Sequence, residues 1–164
     1  MTKKVSTAEA RLLLWHPVHF VSLGFGSGLS PWAPGTAGTL VAIPLYAALS
    51  LLPLWVYIGV TLMVIVLGIY TCGRTAEALH VHDAGVIVWD EVAGFLVTMT
   101  LTPFSWQGVV AGFLLFRLFD IVKPWPIRAI DQRVPGGAGI MLDDVLAGIY
   151  SLLVLYVAAS FGLF

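Results

Sequence analysis

The sequence predicts an all-α, polytopic membrane protein: a helix bundle with about five transmembrane helices and a glycine-rich loop near its N-terminus. Of its 164 residues, 59% are apolar and only 10% are charged, compared with about 25% charged in an ordinary soluble domain. Lys, Arg, Asp and Glu are absent from residues 12–73, 92–116 and 145–164. Because roughly 20 apolar residues cross the hydrocarbon core of a bilayer, each of these runs is long enough to span it.

The chain is short enough to form one domain, which we expect to cover residues 1–164. Near the N-terminus, Lys3 and Lys4 are followed by Glu9 and Arg11 and then by only a short apolar stretch. A cleavable signal is not expected, because no small-residue cleavage site follows. The formal net charge of -1 gives no support to nucleic-acid binding.

The first elements differ from the rest of the chain. Ser6 and Glu9 match a capping box, which predicts a short interfacial helix from Thr7 toward His16. Residues 24–38 then contain five glycines and two prolines and cannot form one regular helix. Irregular backbone of this kind is tolerated at membrane depth only against protein or a water-filled cavity.

The spans follow from the uncharged runs. The first run predicts two helices that turn near residues 52–54. The second run is extended into its flanking charges, which gives helices over about 84–101 and 104–122 with a turn at residues 102–103. At 1.5 Å per residue each of these two helices is about 28 Å long. A final helix is expected from about Val145.

The distribution of charge orients this bundle. All seventeen charged residues, 8 basic and 9 acidic, fall within residues 3–11, 74–91 and 117–144. Five spans place these three clusters on one side, which the positive-inside rule makes the cytoplasm. Four spans, with residues 92–116 as one helix, are the alternative and would place the basic residues of the third cluster outside. We therefore expect a multi-pass protein of the cytoplasmic (inner) membrane with its polar site facing the cytoplasm.

Six carboxylates in these clusters are candidates for chemistry, namely Asp83, Asp90, Glu91, Asp120, Asp143 and Asp144. Ionised groups in or beside a bilayer are costly unless they are paired, hydrated or bound to metal. A crowded acidic group therefore predicts a divalent cation or basic partners. Hard oxygen ligands suit Mg²⁺. Zinc is disfavoured, because His80 and His82 lack the spacing of a helical zinc pair and the chain has one cysteine.

Structural interpretations of these acids remain open at this stage. Asp143 or Asp144 could cap the last helix, where a carboxylate accepts backbone N–H bonds. Asp120 lies three residues after Arg117 and three before Lys123, so it could belong to a structural ion pair. The concentration of charge on one side of the membrane favours a functional site.

Positive charge and backbone donors could bind an anionic substrate. Arg117 and Lys123 flank Asp120 and can contact phosphate oxygens. The glycine-rich segment could present backbone N–H groups to phosphate, assisted by the hydroxyls of Ser27, Ser30 or Thr36. The alternative for this segment is a tight turn that serves helix packing.

The chain resembles the phosphatidylglycerophosphatase A family in four blocks that together span most of the sequence. The blocks are GFGSGLSPWAPGT (24–36), HD (82–83) with IVWDE (87–91), FRLFDIVKPWPI (116–127) and GGAGIMLDDVLAG (136–148). The resemblance implies a Mg²⁺-dependent lipid phosphatase of phospholipid biosynthesis. Its substrate would be phosphatidylglycerophosphate, and its products would be phosphatidylglycerol and inorganic phosphate.

Roles for individual residues follow from the resemblance and the charge pattern together. We expect Mg²⁺ ligands, direct or through water, from Asp90, Glu91, Asp120, Asp143 and Asp144. Arg117 and Lys123 would neutralise phosphate oxygens, and Asp83 would orient or deprotonate the attacking water. Two alternatives are kept: a noncatalytic transporter or lipid-binding scaffold, and a Mg²⁺-dependent lipid phosphotransferase.

Overall fold

A computed structural model describes residues 7–81 and 84–162. In these two ranges the chain forms helices and turns, without a β-strand. Its helices are α1 (Thr7–Leu13), α2 (Pro17–Ser22), α3 (Pro34–Leu49), α4 (Leu54–Leu79), α5 (Trp89–Thr98), α6 (Trp106–Val122), α7 (Ile127–Arg133) and α8 (Gly136–Ser160). A 3₁₀ segment, Gly24–Leu29, lies between α2 and α3. The predicted all-α class is confirmed.

Two of the described helices are long and apolar enough to cross a membrane by themselves. They are α4, with 26 residues, and α8, with 25 residues. Helices α3 and α6 have 16 and 17 residues, and at 1.5 Å per residue they reach about 24–26 Å. Five spans therefore stay a prediction, whereas two helices of membrane-spanning length are present.

Several predicted boundaries agree with the structure. The α3–α4 turn contains Pro53 and the α5–α6 turn contains Pro103, as expected. Helix α6 begins after Ser105, whose hydroxyl accepts the Gly108 N–H at 3.0 Å as an N-cap. The short helix near the N-terminus is also present, but Ser6 of its proposed capping box lies outside the described residues.

Helix α5 is shorter than predicted. It was expected over residues 84–101 but begins at Trp89 and has 10 residues. The backbone before it is used in tertiary contacts: the Val88 N–H donates to the Ser22 carbonyl at 2.9 Å. A Cβ on Gly28 would collide with the Val86 carbonyl oxygen. Packing against the 3₁₀ segment thus takes the place of the first helical turns.

Helix α8 is longer than predicted. It starts at Gly136 rather than near Val145, so Asp143 and Asp144 lie about two turns inside the helix and do not cap it. Among the glycines at its start, Gly137 packs against the α4 backbone. A Cβ on Gly137 would collide with the Ile69 carbonyl oxygen and lie 2.8 Å from the Gly73 nitrogen.

Helix α8 occupies the centre of the bundle, in contact with α4, α5, α6 and α7. Its approach to α5 is especially close, because a Cβ on Gly148 would collide with the Gly94 carbonyl oxygen. Asp144 precedes Gly148 by four residues, and Asp90 precedes Gly94 by four. This glycine contact therefore brings the two carboxylates to the same end of the α5–α8 interface.

A methyl group at Gly148 tests this contact. We expect Gly148→Ala to lower the stability of the detergent-solubilised protein by about 1–3 kcal/mol, because the added Cβ forces the two helices apart. Gly59→Ala is the matched control, since a Cβ on Gly59 in α4 would meet no atom of the described residues within 4 Å. Thermal unfolding measures both variants. Equal melting temperatures for the two variants would contradict the close contact.

Candidate active site

Two acidic side chains lie in the first turn of α5. The Trp89 indole N–H donates to the Val64 carbonyl at 3.1 Å and anchors this turn against α4. Asp90 is 8% exposed, and the side chain of Glu91 is 12% exposed. The turn therefore presents carboxylates in the interior of the bundle.

These two residues meet Asp144 of α8. Asp90, Glu91 and Asp144, which we call the acidic trio, each offer one carboxylate oxygen, and these oxygens lie within 4.8 Å of one another. Asp144 is 3% exposed. Glu91 Oε2 is buried and has no hydrogen-bond partner in the described part of the chain. Closely spaced hard oxygen atoms with an unsatisfied carboxylate oxygen form a plausible cation centre.

Arg117 of α6 borders the acidic trio. Its Nη1 atom lies 2.8 Å from Asp120 Oδ2 and 3.7 Å from Glu91 Oε1, and its side chain is 17% exposed. The Arg117 Nε atom makes no hydrogen bond within the described residues. The structure confirms the Arg117–Asp120 pair as a contact. It also places Asp120 in electrostatic contact with Asp144, so the pair belongs to the same polar centre.

The start of α3 packs against the acidic trio and Arg117 from another side. A Cβ on Gly35 would collide with Glu91 Oε1 and would lie 3.0 Å from Arg117 Nη1. Among the residues that the structure describes, no side chain caps α3, and Ala37 donates an early helical bond, to the Ala33 carbonyl at 3.0 Å. The preceding N–H groups of Gly35 and Thr36 can therefore face an anion.

The three predicted hydroxyl residues have different surroundings. Thr36 follows Gly35 in the first turn of α3, so its backbone reaches the polar centre. Ser27 lies in the 3₁₀ segment; its hydroxyl is buried, without a hydrogen-bond partner among the described residues, and lies near the Cβ position of Gly24. Ser30 follows that segment. Of the three, Thr36 is the one that follows a residue whose backbone lies against Glu91 and Arg117.

Lys123 and Asp143 form a neighbouring ion-pair network. Lys123 ends α6 with a left-handed backbone (φ 45°) and donates to Asp143 Oδ2 and, at 2.9 Å, to Asp131 Oδ1. Burial opposes its charge, but these hydrogen bonds and negative charges raise the pKa of Lys123 above its ordinary value. Asp143 Oδ1 accepts the Asp144 N–H at 3.0 Å. Asp143 therefore supports Asp144 from the adjacent position.

The spacing along the sequence placed Lys123 beside Asp120 and gave no indication of Asp131 as a partner. The structure pairs Lys123 with α7 and α8 instead, because the left-handed residue redirects the chain after α6. Gly35 and Trp89 were not identified individually either, although both lie in quoted sequence blocks. The predicted catalytic residue Asp83 and its neighbour His82 lie outside the described residues.

Comparisons with known proteins agree on one family. The family model "PgpA: Phosphatidylglycerophosphatase A" matches residues 20–159. A relative in Escherichia coli (strain K12), named "Phosphatidylglycerophosphatase A", is 48% identical over 150 residues, which cover 91% of this chain and 87% of the relative. A relative of the same name in Haemophilus influenzae is 45% identical over 151 residues, covering 89% of this chain and 91% of the relative.

A third relative, from Bacteroides thetaiotaomicron, carries the provisional name phosphatidylinositol-3-phosphatase. It is 41% identical over 147 residues, which cover 84% of this chain and 91% of the relative. No solved structure matches the chain. The matched region includes α3 to α7 and nearly all of α8, so it contains every described side chain of the polar centre.

Removal of the Lys123 charge tests the supporting network. We expect Lys123→Met to lower the free energy of unfolding by about 2 kcal/mol, because Asp143 would lose its cationic donor. Arg74→Met is the control: Arg74 and Glu77 form a 3.0 Å ion pair, but their side chains are 61% and 69% exposed. That substitution should cost less than about 1 kcal/mol. Equal losses in thermal or denaturant unfolding would contradict a buried structural role.

Proposed function

This chain belongs to the phosphatidylglycerophosphatase A family, and on that basis we propose that it hydrolyses the terminal phosphate of phosphatidylglycerophosphate. The products are phosphatidylglycerol and inorganic phosphate. The observation that carries this proposal is the acidic trio beside Arg117 and the uncapped start of α3. Anionic oxygens that suit a cation thus lie next to donors that suit a phosphate.

The residues present fit a divalent cation. Asp90, Glu91 and Asp144 supply the donor type that Mg²⁺ prefers, and the unsatisfied Glu91 oxygen is consistent with a further ligand. When bound, Mg²⁺ would stabilise charge on the phosphoryl group and lower the pKa of a bound water. Asp120 lies close enough to Asp144 to support the same centre, and Asp143 positions the Asp144 backbone.

Arg117 is the principal candidate for holding the substrate phosphate. Its Nε donor is available within the described structure, and Gly35 brings the start of α3 against its guanidinium group. Thr36 adds a backbone N–H and a hydroxyl at this end of α3. Lys123 has three N–H donors, of which two are directed to Asp131 and Asp143. Its third donor can serve a phosphate oxygen.

Hydrolysis requires one water molecule to attack phosphorus as the ester bond breaks. The water oxygen becomes part of inorganic phosphate, and a proton reaches the leaving glycerol oxygen. Asp83 remains our candidate for orienting or deprotonating that water, with Ser27 and Ser30 as additional phosphate ligands.

We place this single domain, residues 1–164, in the cytoplasmic membrane with five spans and its polar centre toward the cytoplasm. Trp55 and Trp106 are 77% and 67% exposed at the starts of α4 and α6, which share one end of the bundle. Trp32 and Trp125 are 94% and 82% exposed in segments near the charged clusters. Aromatic residues at both ends are typical of two membrane interfaces.

Phosphate release from purified protein tests the activity. Phosphatidylglycerophosphate in detergent should yield inorganic phosphate when Mg²⁺ is present. Thorough chelation should abolish phosphate release, and addition of Mg²⁺ should restore it. Headgroup exchange without phosphate release would indicate a phosphotransferase, and no turnover would favour the transporter or scaffold. Phosphatidylinositol 3-phosphate is assayed in the same way, so that the hydrolysis rates of the two lipids measure substrate specificity. Faster hydrolysis of that lipid would overturn the proposed substrate.

Neutralisation of single acids separates catalysis from folding. Asp90→Asn and Asp144→Asn should each lower kcat at least about 100-fold, because each weakens the cation centre while preserving side-chain size. Glu9→Gln, an exposed acid in α1, is the control and should retain turnover.

Thermal unfolding is measured on the same preparations. Near-normal turnover in either variant would remove that residue from the site. Loss of folding in step with activity would assign it a structural role instead.

Topology has a separate test in a Cys72→Ser background. A cysteine at Arg128, which is exposed in α7, should react only with reagent admitted to the cytoplasm. A cysteine at Leu52, which is 45% exposed in the α3–α4 turn, should react from outside the cell. Labelling of both positions from the same side would contradict the five-span arrangement.

A further inference from the structure

A polar cavity separate from the acidic trio lies between α2 and α4. Its volume is about 450 Å³, and its polar lining consists of His16, His19, Tyr70, Arg74 and Glu77. No member of the acidic trio lines it. Its size falls within the usual range of small-ligand sites, about 300–1,000 Å³.

The Arg74 side chain in the wall of this cavity has N–H donors that can bind an anion. Arg74 Nη1 donates to Glu77 Oε2 at 3.0 Å, and a guanidinium group has five N–H donors in all. This exposed pair stabilises the fold little and can rearrange around a ligand. One bond to Glu77 therefore leaves most of the Arg74 donors for a phosphate group.

His19 forms a fixed part of the cavity wall. Its Nδ1 atom lies 2.8 Å from the Thr75 hydroxyl, and that hydroxyl lies 2.6 Å from Ser22 Oγ. Ser22 and Thr75 are both fully buried. Burial, followed by the nearby His16 and Arg74, lowers the pKa of His19. The contact with Thr75 orients the imidazole and leaves Nε2 as its other polar atom.

The apolar surface beside the cavity indicates what kind of anion it suits. On α4, Val66, Ile69 and Tyr70 are 66%, 39% and 58% exposed, immediately before the polar Arg74. Helix α4 is one of the two helices of membrane-spanning length. The cavity therefore lies where an apolar, lipid-compatible surface meets a cationic group. An amphipathic anion can contact both, whereas free phosphate can contact only the cationic part.

We propose that this cavity binds the phosphodiester headgroup of an anionic phospholipid at a noncatalytic site. Arg74 contacts the phosphodiester oxygens, His16 adds a ring nitrogen, the His19 ring forms a rigid wall beside the headgroup, and an acyl chain lies along Val66 and Tyr70. The fixed His19 ring lowers the ordering cost of binding. This site is separate from the acidic trio and goes beyond the proposed hydrolysis.

Native mass spectrometry of purified protein in a neutral detergent tests the proposal. Phosphatidylserine is the probe, because it is an anionic phosphodiester without a terminal phosphate monoester. The wild-type protein should bind it saturably and more tightly than phosphatidylcholine. Arg74→Gln should weaken phosphatidylserine binding about 10-fold, because it removes the cation.

Arg128→Gln is the matched control, since Arg128 is an exposed arginine of α7 outside this cavity. It should change the affinity less than about 2-fold. Asp144→Asn should retain binding, which separates this site from the proposed active site. Equal weakening by Arg74→Gln and Arg128→Gln, equal affinity for phosphatidylcholine, or displacement by inorganic phosphate would each overturn the proposal.

Discussion

The constraint on which the structure depends is the burial of carboxylates among apolar helices. Ionised groups in such surroundings cost several kcal/mol each unless they are compensated. Arg117 compensates Glu91 and Asp120, and Lys123 compensates Asp131 and Asp143. Within residues 7–81 and 84–162, no basic side chain forms an ion pair with Asp144. A divalent cation would balance this excess of negative charge.

Close backbone approach makes this concentration of carboxylates possible. Gly94 and Gly148 let α5 and α8 pack backbone to backbone, and Gly137 does the same for α8 and α4. Helix α5 begins beside Val64, which lies ten residues after the start of α4 and fifteen before its end. The acids are therefore held near the middle of the bundle. The irregular backbone before α5 and before α3 surrounds these acids with polar groups. Such backbone is tolerated at membrane depth because it is covered by protein.

The sequence predicted helix boundaries best where local hydrogen bonds within one helix set them. The predicted span at 104–122 differs from α6 by two residues at its start, because Ser105 caps it locally. The predicted starts of α5 and α8 were wrong, because packing between distant segments decides where these helices begin. The Val88 N–H donates to the Ser22 carbonyl and so is not part of a helix. At Gly137, contact with α4 favours helical backbone. Glycine and proline content correctly predicted irregular backbone at the 3₁₀ segment.

The sequence predicted which residues form the candidate site better than it predicted how these residues pair with one another. The clustering of acids and Arg117 could be read from the charge pattern, and the proposed lipid substrate came from the family resemblance. The partners of Lys123 could not be read, because a left-handed residue reverses the chain and brings Asp131 of α7 next to it. Pairing across helices depends on tertiary geometry rather than on spacing along one helix.

If the acidic trio forms a divalent-cation site, cation binding measures that property most directly. Electron paramagnetic resonance can follow Mn²⁺ binding to purified wild-type protein and to Glu91→Gln, with Mg²⁺ as competitor. We expect saturable Mn²⁺ binding that Mg²⁺ displaces and that Glu91→Gln weakens at least about 10-fold. Equal Mn²⁺ affinity in the two correctly folded proteins, or the absence of saturable binding to wild type, would contradict it.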